Sequence, residues 1–246
     1  MSTRFIRLSF LAVAFFCISA CNGNEEKTTS NTMSGDTATT TSTTETAPAS
    51  TIVTTPQHMM IVKHRVGNYA KFKISYDEHD SLRLAHGMHN YVIGRAVGDS
   101  NMLFVAVKAD DLAKAKAFAK DPSLKKAMQK AGVTGTPAIS LVTVTYQDTA
   151  EVGDVIRSQT NFAVKDWDAW KKGFEDGKQE RIDNGIVDRV YGHDADDNTK
   201  VTLVTAIMDS AKAAGYWESD MIKKRRVAGG VIGVPDRFLF RVVQRY

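Results

Sequence analysis

Gly132-Val133-Thr134-Gly135-Thr136-Pro137 is followed 98 positions later by Gly230-Val231-Ile232-Gly233-Val234-Pro235. At the same offset Lys125-Lys126 returns as Lys223-Lys224, Arg83 as Arg181, Gly87 as Gly185 and Gly94 as Gly192. Residue classes match as well, since Tyr69, Phe72 and Tyr76 fall on Trp167, Trp170 and Phe174. A period this long is not that of a solenoid, because about 100 residues can bury a core of their own. The reading is one module present twice in tandem.

Each copy reads as strand, helix, strand, strand, helix, strand. In the first, Met59 to Arg65 is a strand, and Asn68 caps a helix with Tyr69, Phe72, Tyr76, His79 and Arg83 on one face at helical spacing. Gly87 stops that helix. His89 to Ala96 and Met102 to Lys108 are strands joined by the turn Gly98-Asp99-Ser100-Asn101. Asp110 or Asp111 caps a second helix through Ala119, Asp121-Pro122 breaks it, a short helix runs to Ala131, and Ile139 to Tyr146 is the last strand. The second copy repeats this from Arg157 to Gln244. A βαββαβ order with helices on one face is the ferredoxin-like plan.

Outside the copies the chain changes character. Arg4 and Arg7 precede the apolar stretch Leu8 to Ile18, which closes on Ile18-Ser19-Ala20-Cys21. The stretch is short for a membrane span and reads as a leader. Its ending resembles the bacterial lipobox, in which the cysteine is lipidated; the alternative is an ordinary secretory signal with a chance cysteine. Processing there removes Cys17, so the one remaining cysteine, Cys21, carries lipid, and neither a disulfide nor cysteine chemistry is expected. From Asn22 to about Pro56 the sequence is rich in Thr, Ser, Ala, Asn and Glu and cannot bury enough apolar surface to offset ordering, so it reads as a tether. The expected layout is a signal peptide over 1–20, the lipidated Cys21 with its tether over 21–56, a first module over 57–148 and a second over 149–246. The expected place is the bacterial envelope, anchored in the outer membrane and facing the periplasm. Glu25-Glu26-Lys27 near the lipid leaves surface display as an alternative.

Charge points to no partner beyond the bilayer. The formal net charge is +4, and losing Arg4 and Arg7 lowers it by two. The basic run Lys223-Lys224-Arg225-Arg226 lacks the interleaved aromatics of a single-strand nucleic-acid site and reads as a solvated helix face, so no nucleic acid is expected.

The segments Arg83 to Gly87, Asp111 to Phe118 and Ala131 to Pro137 together resemble the dimeric α/β-barrel superfamily, near the antibiotic-biosynthesis-monooxygenase-like proteins. The second copy keeps Arg181 to Gly185 and Gly230 to Pro235, with Trp217 read as the counterpart of Phe118 and Gly229 as that of Ala131. The resemblance covers residues 58–246. It implies an α+β fold in which two ferredoxin-like modules pack sheet to sheet, here within one chain, as a monomeric pseudo-dimer. The superfamily spans cofactor-independent oxygenases, haem-degrading enzymes, dismutases and members of no known reaction, so fold alone does not give chemistry.

An asymmetry nominates the first copy as the site. His64, His79, His86 and His89 are read as the counterparts of Phe162, Gly177, Asp183 and Val187, while His193 faces Arg95. His79 lies one turn before Arg83 on the aromatic face, where an imidazole could hydrogen-bond a ligand or act as a base near neutral pH. A satisfied helix histidine is the plainer reading. His64 points either into the barrel or under the helices, and its partner Phe162 favours packing. His86-x-x-His89 has a metal-like gap but straddles Gly87 and lacks a third ligand, so no metal or other cofactor is expected. Gly132, Gly135 and Pro137 read as turn residues. The candidate ligand-binding set is Tyr69, Phe72, Tyr76, His79 and Arg83, and the catalytic candidates are His79, His64 and Arg83. Two functions stay open: a tethered module binding a small apolar or aromatic molecule, or a cofactor-independent oxygenase working in the first copy.

Overall fold

The computed structural model describes residues 50–246. In chain order these form β1 (Ile52–Val53), β2 (Gln57–Val66), α1 (Tyr69–Glu78), α2 (Asp80–Ala85), β3 (Met88–Ala96), β4 (Met102–Ala109), α3 (Leu112–Ala119), α4 (Pro122–Lys130) and β5 (Val133–Asp148). The second half follows as β6 (Ile156–Val164), α5 (Trp167–Asp176), α6 (Lys178–Asp183), β7 (Ile186–Asp194), β8 (Lys200–Ile207), α7 (Ser210–Glu218), α8 (Asp220–Ala228) and β9 (Val231–Arg245). The leader and Cys21 lie outside the described residues. Ile52–Val53, assigned to the tether by composition, pair with Asp148 and Gln147 at the end of β5.

Local chemistry repeats between the halves. Asn68 accepts from the Lys71 amide at 3.0 Å, and Asp166 accepts from the Ala169 amide at 2.7 Å at the equivalent cap. Asp111, not Asp110, caps α3 by accepting from Lys114, and Asp209 caps α7 in the same way. Phe118 on α3 therefore matches Tyr216 on α7, not Trp217, since both lie seven residues after their caps and both are buried. His86 likewise matches Asn184, not Asp183, because each is the residue that closes its helix.

The aromatic helix expected to run unbroken to Gly87 is two helices. The break falls at His79 in the first half and Gly177 in the second, with nearly the same backbone angles, so it belongs to the fold and not to the residue. Its cause is visible in Arg83, which donates from Nη2 to the Tyr76 carbonyl at 2.7 Å, and in Arg181, which donates from Nη1 to the Phe174 carbonyl at 2.6 Å. Arg83 supplies a donor to the Tyr76 carbonyl at the end of α1, and Arg181 adds a second donor to the Phe174 carbonyl, which also accepts from the Gly177 amide at 3.2 Å.

Strands of the first half order β5-β2-β4-β3 and those of the second β9-β6-β8-β7. The two four-stranded sheets meet through antiparallel seams at β3–β9 and β5–β7, which close them into a barrel with the helices outside. Sheet therefore faces sheet across the barrel, and their edges are also hydrogen-bonded. Strand β2 shows both faces at work: Met59 and Ile61 point into the barrel with Phe104, Val142 and Phe240, while Met60 and Val62 pack under the helices with Phe72 and Phe118. Fully burying a side chain such as Phe118 contributes roughly 1.5–3 kcal/mol.

The repeated Gly-x-x-Gly-x-Pro motif is a strand bulge as well as a turn. Opposite β2 the pairing passes from Lys63↔Ala138 to Arg65↔Thr134, and opposite β6 from Ala163↔Ile232 to Asn161↔Asp236. Gly135 and Gly233 take φ of +71° and +72° there, and Pro137 and Pro235 lack the N–H that the looped-out segment cannot use. β5 and β9 are consequently longer than the sequence suggests.

Candidate functional site

Each half carries a cavity between its helices and its sheet, at equivalent positions. The first-half cavity holds about 60 Å³ and is walled by Met60, Val62, His64, Phe72, Tyr76 and Phe118, with His79 and Arg83 at its helix side. His64, Phe72, Tyr76, His79 and Arg83, singled out from sequence, thus meet in one space. Tyr69 does not line it and instead lies beneath the Arg95 guanidinium, 4.5 Å from the ring centre.

Most polar groups around this cavity are already engaged. His79 holds its Nδ1 2.6 Å from the Ser75 carbonyl oxygen. Arg83 lies 3.7 Å above the Tyr76 ring and touches Asp80 at 3.3 Å. Tyr76 donates to Asn90 at 2.7 Å, and burial pushes its hydroxyl pKa up. The Ser75 hydroxyl and Arg83 Nε are buried without a partner, and His64 goes furthest: it is 4% exposed, packs against Phe72, and among the described residues has no partner on either ring nitrogen. Burial pushes its pKa down to about 4, so it is neutral near pH 7.

The second-half cavity is larger, about 170 Å³, and differently furnished. Ser158, Thr160 and Thr205 stand where the first half has Met60, Val62 and Val107. Gly173 and Gly229 replace Ser75 and Ala131, and a Cβ on Gly229 would come within 3.3 Å of Trp170, so glycine makes room for the larger ring that replaces Phe72. Trp217, Arg225, Arg226 and Arg237 also line it, where the first half has Ala119, Ala127, Met128 and Ile139.

Ion pairing also differs. Arg181 makes a two-pronged contact with Asp188, at 2.8 Å and 2.6 Å, and both side chains are buried. In the first half the residue at that place is Asn90, and Arg83 has only the half-exposed Asp80. Glu180 accepts from Tyr216 and from Arg225, fixing α6 to α7 and α8. Sequence reasoning from histidines missed Arg237, Trp217, Ser158 and Thr160. The signal was present as polar residues replacing apolar ones across the repeat.

The other histidines are taken up locally. His86 stacks on Phe118 at 4.6 Å, His89 contacts Asp110 at 2.9 Å, and His193 packs edge-on against Trp167 at 4.9 Å. Among the described residues no group of His, Cys, Asp or Glu is arranged to hold a metal, and no helix is long and apolar enough to cross a membrane.

No family profile and no curated protein matches this sequence. Solved structures do. A monooxygenase candidate from Fusobacterium nucleatum superposes with a TM-score of 0.52 at 12% identity, over 77% of this chain and 93% of that one. An anthrone oxidase-like protein gives 0.52 at 14%, over 79% and 95%. A chlorite dismutase candidate gives 0.50 at 15%, over 77% and 96%. At such identities the likeness shows the fold alone: the described part of the chain is a ferredoxin-like dimeric α/β barrel, of the kind shared by monooxygenase-like and chlorite dismutase-like proteins.

Proposed function

We propose that this chain is a non-catalytic binding module for a small apolar or aromatic molecule, held at the bacterial envelope through lipid on Cys21. The observation that carries the binding reading is the second-half cavity, whose walls combine Phe162, Trp170, Phe174 and Leu203 with a few hydroxyls. A concave chamber whose apolar and aromatic walls carry polar groups at defined places is the usual form of a small-molecule site. Trp170 and Trp217 line it, so titration with a neutral aromatic such as 4-ethylbenzamide should quench tryptophan fluorescence and raise the Tm. Absence of both responses at millimolar ligand would sink the reading. The anchor is tested separately: wild-type protein should sediment with membranes and Cys21→Ser should not.

Catalysis in the first half is the second reading, and His64 favours it. Its buried, neutral imidazole with two free nitrogens borders a cavity that could admit dioxygen or the edge of a substrate. With anthrone as the test compound, oxygen uptake above background that disappears in His64→Phe would support this reading; uptake unchanged by that substitution would remove it.

A further inference from the structure

Arg237 and Arg226 border the second-half cavity, and among the described residues neither closes an ion pair. The Arg237 guanidinium lies 3.8 Å above the Trp217 ring, and its Nε is buried without a hydrogen-bond partner. The charge it feels most is that of Arg226, a like charge, and burial together with that neighbour pushes Arg237 down to about 10. The other two arginines of the cavity are engaged, Arg181 by Asp188 at 2.6 Å and Arg225 by Glu180 at 2.9 Å. Desolvating a guanidinium with no counter-ion, next to a second cation, costs stability. The fold does not demand it, since the first half builds the same corner from Ile139 and Met128. An anion lying between the two guanidinium groups would offset that cost.

We propose that the second-half cavity binds an organic carboxylate, with its ring or branched apolar body under α5 and α7 and its carboxylate held by Arg237 with Arg226. This rests on the cavity being a ligand site, as argued above, and adds the charge of the ligand. The size agrees: about 170 Å³ is slightly more than the roughly 150 Å³ that accommodates a benzene ring, which leaves room for a headgroup at the mouth. Arginine suits the task because its planar fork meets both carboxylate oxygens at once. Trp217 holds the Arg237 plane in place before ligand arrives.

The test compares 4-ethylbenzoate with its neutral isostere 4-ethylbenzamide, by tryptophan fluorescence titration of the intact protein. The carboxylate should bind about tenfold tighter or more, as expected for a hydrogen bond made to a charged partner. Arg237→Ile, the first-half residue, should bring the two affinities together, and Arg237→Lys should keep part of the preference. Arg226→Met should also reduce the preference, and because Arg226 sits on a partly exposed helix face it decides the matter even if Arg237→Ile fails to fold. Equal affinities in the wild type, or a preference that survives these substitutions, would overturn the carboxylate assignment while leaving the cavity reading intact. Binding of neither compound would overturn both.

Discussion

At equivalent places under its helices the first half encloses about 60 Å³ and the second about 170 Å³, although strand order, the positions of the helix caps and the arginine that closes the first helix are the same in both. The extra space traces to a few exchanges: Met60 becomes Ser158, Ser75 becomes Gly173 and Ala131 becomes Gly229. The backbone is thus kept while side chains decide whether a chamber is filled or open. The half richer in histidine is the more filled one. Titratable residues mark a site only where space accompanies them.

The sharpest way to break this comparison lies in the arginine both halves share. Asp188→Asn gives the second half the residue that Asn90 supplies in the first, but leaves Arg181 buried without its two-pronged partner. Removing one member of a buried pair costs about 3–5 kcal/mol. Asp80→Asn removes the charge behind a 3.3 Å contact to Arg83, on a side chain that is 43% exposed and whose Oδ1 can still accept from Asn90, and should cost less than about 1 kcal/mol. Urea unfolding midpoints of the two variants measure this directly. Equal losses would mean that the buried pair is not what holds the second half's first helix to the sheet.

The seams offer a finer contrast. Gly94 and Gly192 occupy matching places, on β3 and β7, where each sheet meets the other. A Cβ on Gly192 would lie 2.1 Å from the Thr143 carbonyl oxygen and 2.8 Å from the Val144 Cα, all backbone of β5. On Gly94 it would meet the Phe240 ring at 2.3 Å, a side chain that can tilt against Phe104. Gly192→Ala should therefore cost about 3 kcal/mol and speed amide exchange along β5, and Gly94→Ala about 1–2 kcal/mol. The reverse order would show that the ring, not the strand, is the rigid element.

Element order, helix caps and the matching of the halves were legible because each rests on local chemistry that repeats: a cap residue, an alternating strand, a glycine or proline at a fixed offset; the barrel was implied by the family resemblance alone. The break at His79 and Gly177 was not, since it depends on Arg83 or Arg181 reaching back to a carbonyl, a contact that periodicity does not encode. The bulge at Gly135 and Gly233 was read as a plain turn because strand pairing, a tertiary fact, is what makes it a bulge. Gathering His64, Tyr76, His79 and Arg83 followed from shared faces, whereas Tyr69 falls at the helix end beyond the cavity. The space of the second cavity comes from lost side-chain volume at the places of Met60 and Ala131, which carries no motif, and only its polar replacements Ser158, Thr160 and Arg237 were visible across the repeat.

His64 sharpens the comparison through pH. Its counterpart Phe162 fills the same strand position in the second half and does not titrate. Burial holds the folded-state pKa of His64 near 4, against 6.5 for an unperturbed histidine. Between those values the unfolded chain binds a proton that the folded chain refuses, so stability rises with pH over this window and is lost as pH falls through 6.5 toward 4. From pH 7 to pH 5 the loss from this group should be about 2 kcal/mol, at 1.36 kcal/mol per unit. His64→Phe, which copies the second half, should remove that part of the pH dependence while leaving the loss that the carboxylates contribute at lower pH. The measurement is urea unfolding free energy of wild type and variant at pH 7, 6 and 5. Parallel curves would mean that His64 accepts its proton in the folded state, through a water or a ligand in the first-half cavity, and that this cavity is more polar than its walls imply.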